Sequence, residues 1–346
     1  MRFRWPFDVA PLRGLLSILL VPCLLLPQAA TAQGSNLEDQ SRLLGRASAA
    51  VVGVRALAVD EARSIRTLGK DRQGSGVVID ENGLVLTIGY LILEAEQVQV
   101  ITDDDRVIPG RVVGYDVATG FGLIQALVPL RIDPVPLGQS ARVRDDEPLM
   151  IASGGDAGAV SVARMVSRRP FAGYWEYHID DALFTAPPRR DHSGAGLFNG
   201  RGELVGIGSL FVAHAMGDTH PQLPGNMFVP VDLLRPIMDE LRRSGTTSLS
   251  RRAWIGINCV EDDGEIRIIR VNDDSPADVA GLQAGDRILR IDGVAVNALG
   301  QLWKHLWSGG PPEREVTLEV QRAGKTEALK LHSVDRAMTL KRAQGV

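Results

Sequence analysis

Cysteine is almost missing. The 346 residues hold two, Cys23 and Cys259. Cys23 sits in an N-terminal apolar stretch expected to be removed, which leaves Cys259 alone and excludes an internal disulfide framework. Stability must then come from packed cores, and Cys259, within "INCV", reads as a buried apolar residue rather than a reactive thiol. Aromatic residues make up only 5% of the chain, whereas glycine numbers 37, a balance that favours tight turns over long helices. Positive charge is not in excess: the formal net charge is -4, and no basic run is interleaved with aromatics. Both features argue against a nucleic-acid partner. Zinc-type spacing, a lysine-bearing phosphate loop and a dinucleotide fingerprint are all missing, so neither a metal nor a cofactor is expected. The acidic run Asp103–Asp105 reads as a solvated hairpin turn rather than a calcium site. No solenoid repeat or low-complexity tract is present.

The longest apolar stretch, "GLLSILLVPCLLL", is short for a membrane span. It follows a basic leader, "MRFRWPFDVAPLR", and precedes the small-residue pattern Ala30-Thr31-Ala32. This reads as a secretory signal peptide over residues 1–32, with an inner-membrane signal anchor as the alternative. A lipoprotein reading fails, because Cys23 follows Pro22 and lies inside the apolar core. Cleavage would take away three arginines and one aspartate, moving the formal charge from -4 to -6. A periplasmic or secreted protein with no integral membrane span after cleavage is expected.

Beyond the leader the chain reads as mostly β. A short helix precedes the strand "AAVVGVRAL", and "EARSIRTLGKDRQ" reads as a polar loop. Then come β-branched, apolar segments at close spacing: "GSGVVID", "GLVLTIGYLIL", "VQVITDD", "VIPGRVVGYD", "FGLIQAL", "EPLMIASG", "AVSVARMVS", "ALFTA", "LVGIGSLFV" and "MFVPV". Gly, Asp, Asn and Pro punctuate them, the pattern of an all-β barrel or sandwich. One helix follows, "VDLLRPIMDELRRSG", with Asp232 as cap, Pro236 in its first turn and Gly245 as its stop. The expected division is a β domain over 33–243, a polar linker over 244–252, a second domain over 253–335 and a tail over 336–346.

The second domain contains "SPADVAGLQAGDRILRIDGVAV", a turn and short helix leading into a strand pair. From Trp254 to about His332 it resembles an α+β PDZ domain. The resemblance implies a peptide added as a strand to a sheet edge, its terminal carboxylate held by backbone N–H groups. The loop for that carboxylate would be Trp254-Ile255-Gly256-Ile257, helped by Arg251 and Arg252, with the groove helix around Leu299–Trp307. The chain's own terminus, Val346, is one conceivable internal ligand.

A β domain followed by a PDZ domain behind a signal peptide resembles the HtrA/Deg-type serine proteases. "GSGVVIDENGLVLT", "PLGQSARVRDDEPLMIASG", "LFNGRGELVGIG" and "MFVPVDLLRPIMDEL" carry the likeness. It implies a chymotrypsin/trypsin-like double β-barrel with a cleft between the barrels. The chemistry of that cleft needs a serine, a histidine to take its proton and an aspartate to orient the histidine. Where the family has "TNxHVV", this chain reads "TIGYLI", with Tyr90 at the histidine position. Where the family has D-x-x-x-D-L-A-V-L, it reads "DVATGFGLI", with Gly120 at the second aspartate. Where the family has "GNSGGP", it reads "DHSGAG", keeping Ser193 and placing Asp191 at the oxyanion-hole glycine. A phenol of pKa ~10 is a poor base, glycine orients nothing, and a carboxylate would oppose charge developing in the hole. The expectation is an exported pseudoprotease that binds C-terminal or unfolded peptides, co-assembles with an active HtrA-type protease, or self-assembles. The alternative is an active serine endopeptidase using Ser193 with a different base, for which His178 and His214 are the candidates.

Overall fold

The β-branched runs close into two barrels. The computed structural model describes residues 28–156 and 158–341, so the signal-peptide reading falls mostly outside the described residues and Val346 wholly outside them. Helix α1 spans Gln28–Ala49, and the described residues from Gln40 onward form one compact unit. The first barrel comprises β1 (Val51–Ala58), β2 (Asp71–Val78), β3 (Leu84–Ile88), β4 (Ala95–Ile101), β5 (Val107–Tyr115) and β6 (Phe121–Ala126), closed in the order β1-β2-β3-β6-β5-β4. All five residues of β3 are buried, as expected of a strand whose apolar run does not alternate. The stretch expected to be a polar loop instead forms the short helix α2 (Ile65–Leu68) and the start of β2. At the Asn82–Gly83 turn, Asp80 Oδ1 accepts from the amides of Asn82 and Leu84, each at 2.9 Å, which fixes the hairpin register.

The second barrel comprises β7 (Pro148–Ala152), β8 (Val160–Ala172), β9 (His178–Ala186), β10 (Gly196–Phe198), β11 (Leu204–Val212) and β12 (Gly225–Pro230), in the order β10-β11-β12-β9-β8-β7. Strands β8 and β9 run further than "AVSVARMVS" and "ALFTA" suggest. Their hairpin reaches Ala172 paired with His178, and its register shifts around Pro170, where a bulge tolerates the missing N–H. The following helix also starts later than expected. Val231–Leu233 is a 3-10 turn, Pro236 lies beyond it, and α3 is Met238–Ser244. Asp232 does not cap α3; its carboxylate accepts from Ala141 N at 2.8 Å. Gly245 does end the helix, in the left-handed region.

Residues 244–252 are tied down. Thr247 and Ser250 are buried and both hydroxyls donate to Asp116 Oδ1. The second domain follows: β13 (Ala253–Trp254), β14 (Ile257–Asp262), β15 (Glu265–Val271), α4 (Pro276–Val279), β16 (Arg287–Ile291), β17 (Val294–Ala295), α5 (Leu299–Ser308), β18 (Glu315–Arg322), β19 (Lys325–His332) and β20 (Val334–Asp335). Its sheet runs β14-β15-β16-β18-β19, over a core that includes Cys259, Leu302 and Trp303. The described residues are mostly β, as the sequence indicates.

Candidate functional site

Ser193 lies on the turn that leads into β10. The turn is held by backbone bonds: Gly194 N to Gly208 O at 2.9 Å, Ala195 N to His192 O at 3.0 Å, and Ser75 N to Ser193 O at 2.8 Å. Gly194 has φ +76°, and a Cβ there would stand 1.9 Å from Ser75 O. Only glycine allows the turn to press this closely on the first barrel. The serine is therefore presented in the cleft between the barrels.

Its neighbour is Tyr90. Arg72 fixes the Tyr90 turn by donating to Tyr90 O at 3.1 Å. The Tyr90 hydroxyl lies 2.7 Å from Ser209 O and 2.8 Å from Ser193 Oγ. A carbonyl can only accept, so the single phenol proton goes to Ser209 and the Ser193 hydroxyl donates to Tyr90. Burial pushes the phenol up to about 12, with the Ser193 hydrogen bond working the other way. Tyr90 thus receives a hydrogen bond from Ser193 as a neutral phenol.

Gly120 lies behind Tyr90, where its carbonyl accepts from Gly89 N at 2.6 Å. It has φ +81°, and a Cβ there would meet the Tyr177 hydroxyl at 3.1 Å. Tyr177 donates to Thr119 O at 2.7 Å, and the Tyr115 ring fills the space over Gly89. Aromatic rings occupy the region behind the phenol. The first aspartate of the "DVATG" stretch, Asp116, is kept and is structural. It is fully buried and accepts from Thr119 N at 2.7 Å and Thr119 Oγ1 at 2.6 Å.

Asp191 is not the bare negative charge its position suggests. Arg189 pairs with both carboxylate oxygens, through Nε at 2.9 Å and through Nη2, and the Ser153 hydroxyl also donates to it. Burial alone would raise its pKa; Arg189 and Ser153 outweigh that and hold it below the usual carboxylate value. None of the histidines bonds to Ser193 among the described residues. His192 Nδ1 lies 3.0 Å from Arg189 O. His178 Nε2 lies 3.1 Å from Asp180 Oδ1 with its ring against Gly300. The carbonyl of His214 accepts from Arg169.

The second cluster is the loop Trp254–Ile257. Its three successive amides, Ile255 N, Gly256 N and Ile257 N, converge on one oxygen, Oε1 of Glu176, at 3.3, 2.8 and 3.3 Å. Such a nest of N–H groups is an anion cradle. A Cβ on Gly256 would stand 2.2 Å from the Ser275 Cβ, so the loop closes only around glycine. Arg251 and Arg252 do not serve it: Arg251 pairs with Asp335 at 3.2 Å and Arg252 lies over the Trp307 ring at 4.2 Å. The arginine that faces Glu176 is Arg336, whose Nη1 donates to Glu176 O at 2.7 Å. Sequence reasoning missed Glu176 and Arg336. Neither lies in a motif, and nothing in the order of residues places the end of the β8–β9 hairpin on the second domain.

A cavity of about 350 Å³ joins the two clusters, bounded by Tyr90 and Ser209 on one side and Tyr174, Trp254 and Asn258 on the other.

The fold and the two clusters agree with the chain's similarities. Residues 74–207 match the trypsin-like peptidase domain family and residues 253–332 the PDZ domain family. This is the class: a trypsin-like double barrel followed by a PDZ domain. Within it, the chain is similar to the HtrA/DegP-type proteases. A probable periplasmic serine endoprotease DegP-like of Pseudomonas fulva is 26% identical, over 75% of this chain and 55% of that protein. The corresponding protein of Pseudomonas fluorescens is 26% identical over 90% of this chain and 74% of its own length, and that of Brucella suis 27% over 74% and 51%. The chain thus spans between about half and three quarters of these relatives. Among solved structures, the HtrA-type protease AlgW with tripeptide aligns at TM-score 0.52 and 20% identity, over 86% of this chain and 97% of that one. The serine endoprotease from Yersinia pestis aligns at 0.51 and 23%, with the same coverage. These two likenesses concern the fold. No helix among the described residues is long and apolar enough to cross a membrane.

Proposed function

We propose that this chain is an exported, HtrA-like pseudoprotease that binds peptides through its PDZ domain and does not cleave them. The observation that carries the reading is Tyr90. A serine nucleophile needs an acceptor that leaves with its proton. Here the acceptor is a phenol whose own proton is committed to Ser209 O and whose conjugate acid would have to form beside that carbonyl. The Gly120 region holds Tyr177 rather than a group to orient a base. Peptide binding is supported by the Gly256 cradle and by a PDZ match over residues 253–332. A periplasmic location is supported by the similar proteins, which are described as probable periplasmic serine endoproteases. Co-assembly with an active HtrA-type protease belongs to the same reading.

The competing reading is a serine endopeptidase that uses Ser193 with a different base. A fluorophosphonate probe separates the two. The expected outcome is no labelling of the purified chain beyond that of Ser193→Ala. Labelling at Ser193 that the alanine variant abolishes would overturn the pseudoprotease reading.

A further inference from the structure

The loop that would hold a peptide's terminal carboxylate already holds a carboxylate of this chain. Three features mark the contact as an imitation of a bound ligand. The first is the cradle itself, three successive amides on a single Glu176 oxygen. The second is contact with the open sheet edge: Cys259 N, on the outer strand β14, donates to Tyr174 O at 2.6 Å, and Trp303 Nε1, on α5, donates to Gly173 O at 3.0 Å. The third is polarity. Residue 174 meets 259 while residue 176 meets 256, so the segment runs antiparallel to β14 with its carboxylate at the loop end. That is how a C-terminal peptide added to this edge would run.

We propose that Gly173–Tyr177 is an internal ligand of the PDZ domain, that Glu176 occupies the terminal-carboxylate subsite, and that external peptides with a free C-terminus enter only by displacing this hairpin end. The proposal rests on the peptide-binding reading above and adds the regulation and ligand chemistry of that site. The fit of the internal ligand is incomplete. Glu176 Oε2 is buried without a hydrogen-bond partner, and burial, set against Arg336 and the three amides, pushes the carboxyl up to about 7. A peptide terminus that satisfied both oxygens would bind the same cradle better. The tip has somewhere to go, because the 350 Å³ cavity adjoins it. It also connects the two clusters: Tyr177 follows Glu176 and bonds to Thr119 O beside Gly120, so withdrawal of the tip would disturb the Ser193 cleft.

A peptide copying the chain's own Arg169–Trp175, "RPFAGYW", carries the segment that lies along β14 and ends in a free carboxylate, which would compete with Glu176 for the cradle. A fluorescein-labelled version tests the proposal on the full chain, with its C-terminal amide as control. The latch lowers apparent affinity by the fraction of time the groove is open. Glu176→Ala is therefore expected to bind the free-acid peptide about tenfold tighter or more than the wild type, with the amide bound weakly by both. Glu176→Gln, which keeps an acceptor oxygen, should fall between them. Equal affinity in wild type and Glu176→Ala overturns the latch while leaving peptide binding intact. If no peptide binds either protein, the peptide-binding reading fails and amide exchange decides the latch. Protection of the Gly256 and Cys259 amides that is lost in Glu176→Ala upholds it, and unchanged protection overturns it.

Discussion

Tyr90 sets the chemistry of the cleft by where its one proton goes. Restoring a histidine would not by itself restore a triad, because the space behind it is full. An aspartate at position 120 must adopt the left-handed backbone now held by glycine at φ +81°, and its Cβ would press on the Tyr177 hydroxyl at 3.1 Å. Strain of this kind costs about 1–3 kcal/mol before any clash is counted. The double variant Tyr90→His, Gly120→Asp is accordingly expected to gain no fluorophosphonate labelling over the wild type and to lose thermal stability; labelling of Ser193 would refute the steric argument. Asp191 supports a second prediction. Its carboxyl is held low by Arg189 and Ser153 against the effect of burial, so the ionised form favours the folded state. That contribution is present above the ordinary carboxylate pKa and is lost as pH falls through the depressed folded value. Asp191→Asn should remove it and leave Arg189, whose side chain is only 12% exposed, without its charge partner. A loss of about 1–2 kcal/mol near neutral pH, shrinking toward pH 3, is expected in denaturant titrations. The identities at 90, 120, 191 and 193 were legible in the sequence because short motifs on strand ends carry them. The neutralisation of Asp191 was not: Arg189 stands only two residues away, but its turning back onto Asp191, with Ser153 and Ser161 beside it, is set by the folded barrel.

Among the elements, the strands and their turns were legible because buried strands and Asx or glycine turns leave local marks. Asp80, Asn82 and Gly83 are an example. The β8–β9 hairpin was legible only at its base. Its distal part, "RRPFAGYWEYH", is aromatic and charged, without period-two alternation. Strand extends only to Ala172 and resumes at His178, and the tip between them packs on both domains: Phe171, Trp175 and Tyr177 lie against the barrel core, while Gly173, Tyr174 and Glu176 bond to the second domain. The 244–252 stretch was read from composition as a linker. Its small polar residues instead satisfy one buried carboxylate: Asp116 receives Thr247, Ser250 and Thr119 hydroxyls, and Val117 N donates to Ser250 Oγ at 2.8 Å. Removing the carboxylate strands several buried donors at once, each costing about 1–3 kcal/mol. Asp116→Ala should therefore loosen the junction, and limited proteolysis is expected to cut within 244–252 at a rate about tenfold or more above wild type. Unchanged cleavage would show that apolar packing alone holds the junction.

At the scale of the whole molecule, the contact between Glu176 and the PDZ loop makes the relation between the domains depend on pH. Burial moves the Glu176 carboxyl from an ordinary value of 4.5 to about 7, against the pull of Arg336 and the three amides. Released into water, the group returns toward its ordinary value. Between about 4.5 and 7 the latched form thus holds a proton that the released form gives up. The latch is strongest at the acid end of that window and weakens as pH rises to about 7, with little further change above it. Cys259 and His178 also lie nearby. Cys259, on β14, is pushed far up by burial and by Glu176 and stays protonated throughout. His178, against α5 with Asp180 and Lys304, is lowered by burial. It therefore favours the neutral form in the latched state and weakens the latch on acidification below about 6.5, opposite in sign to Glu176. The peptide carboxylate, of pKa ~3.5, does not titrate in this range. Affinity for the free-acid "RPFAGYW" peptide is expected to rise by up to about tenfold from pH 6 to pH 8. In Glu176→Gln that rise should vanish, leaving only the opposing His178 contribution at the acid end. The difference between the two profiles isolates Glu176, and parallel profiles would show that its proton is not coupled to opening of the groove.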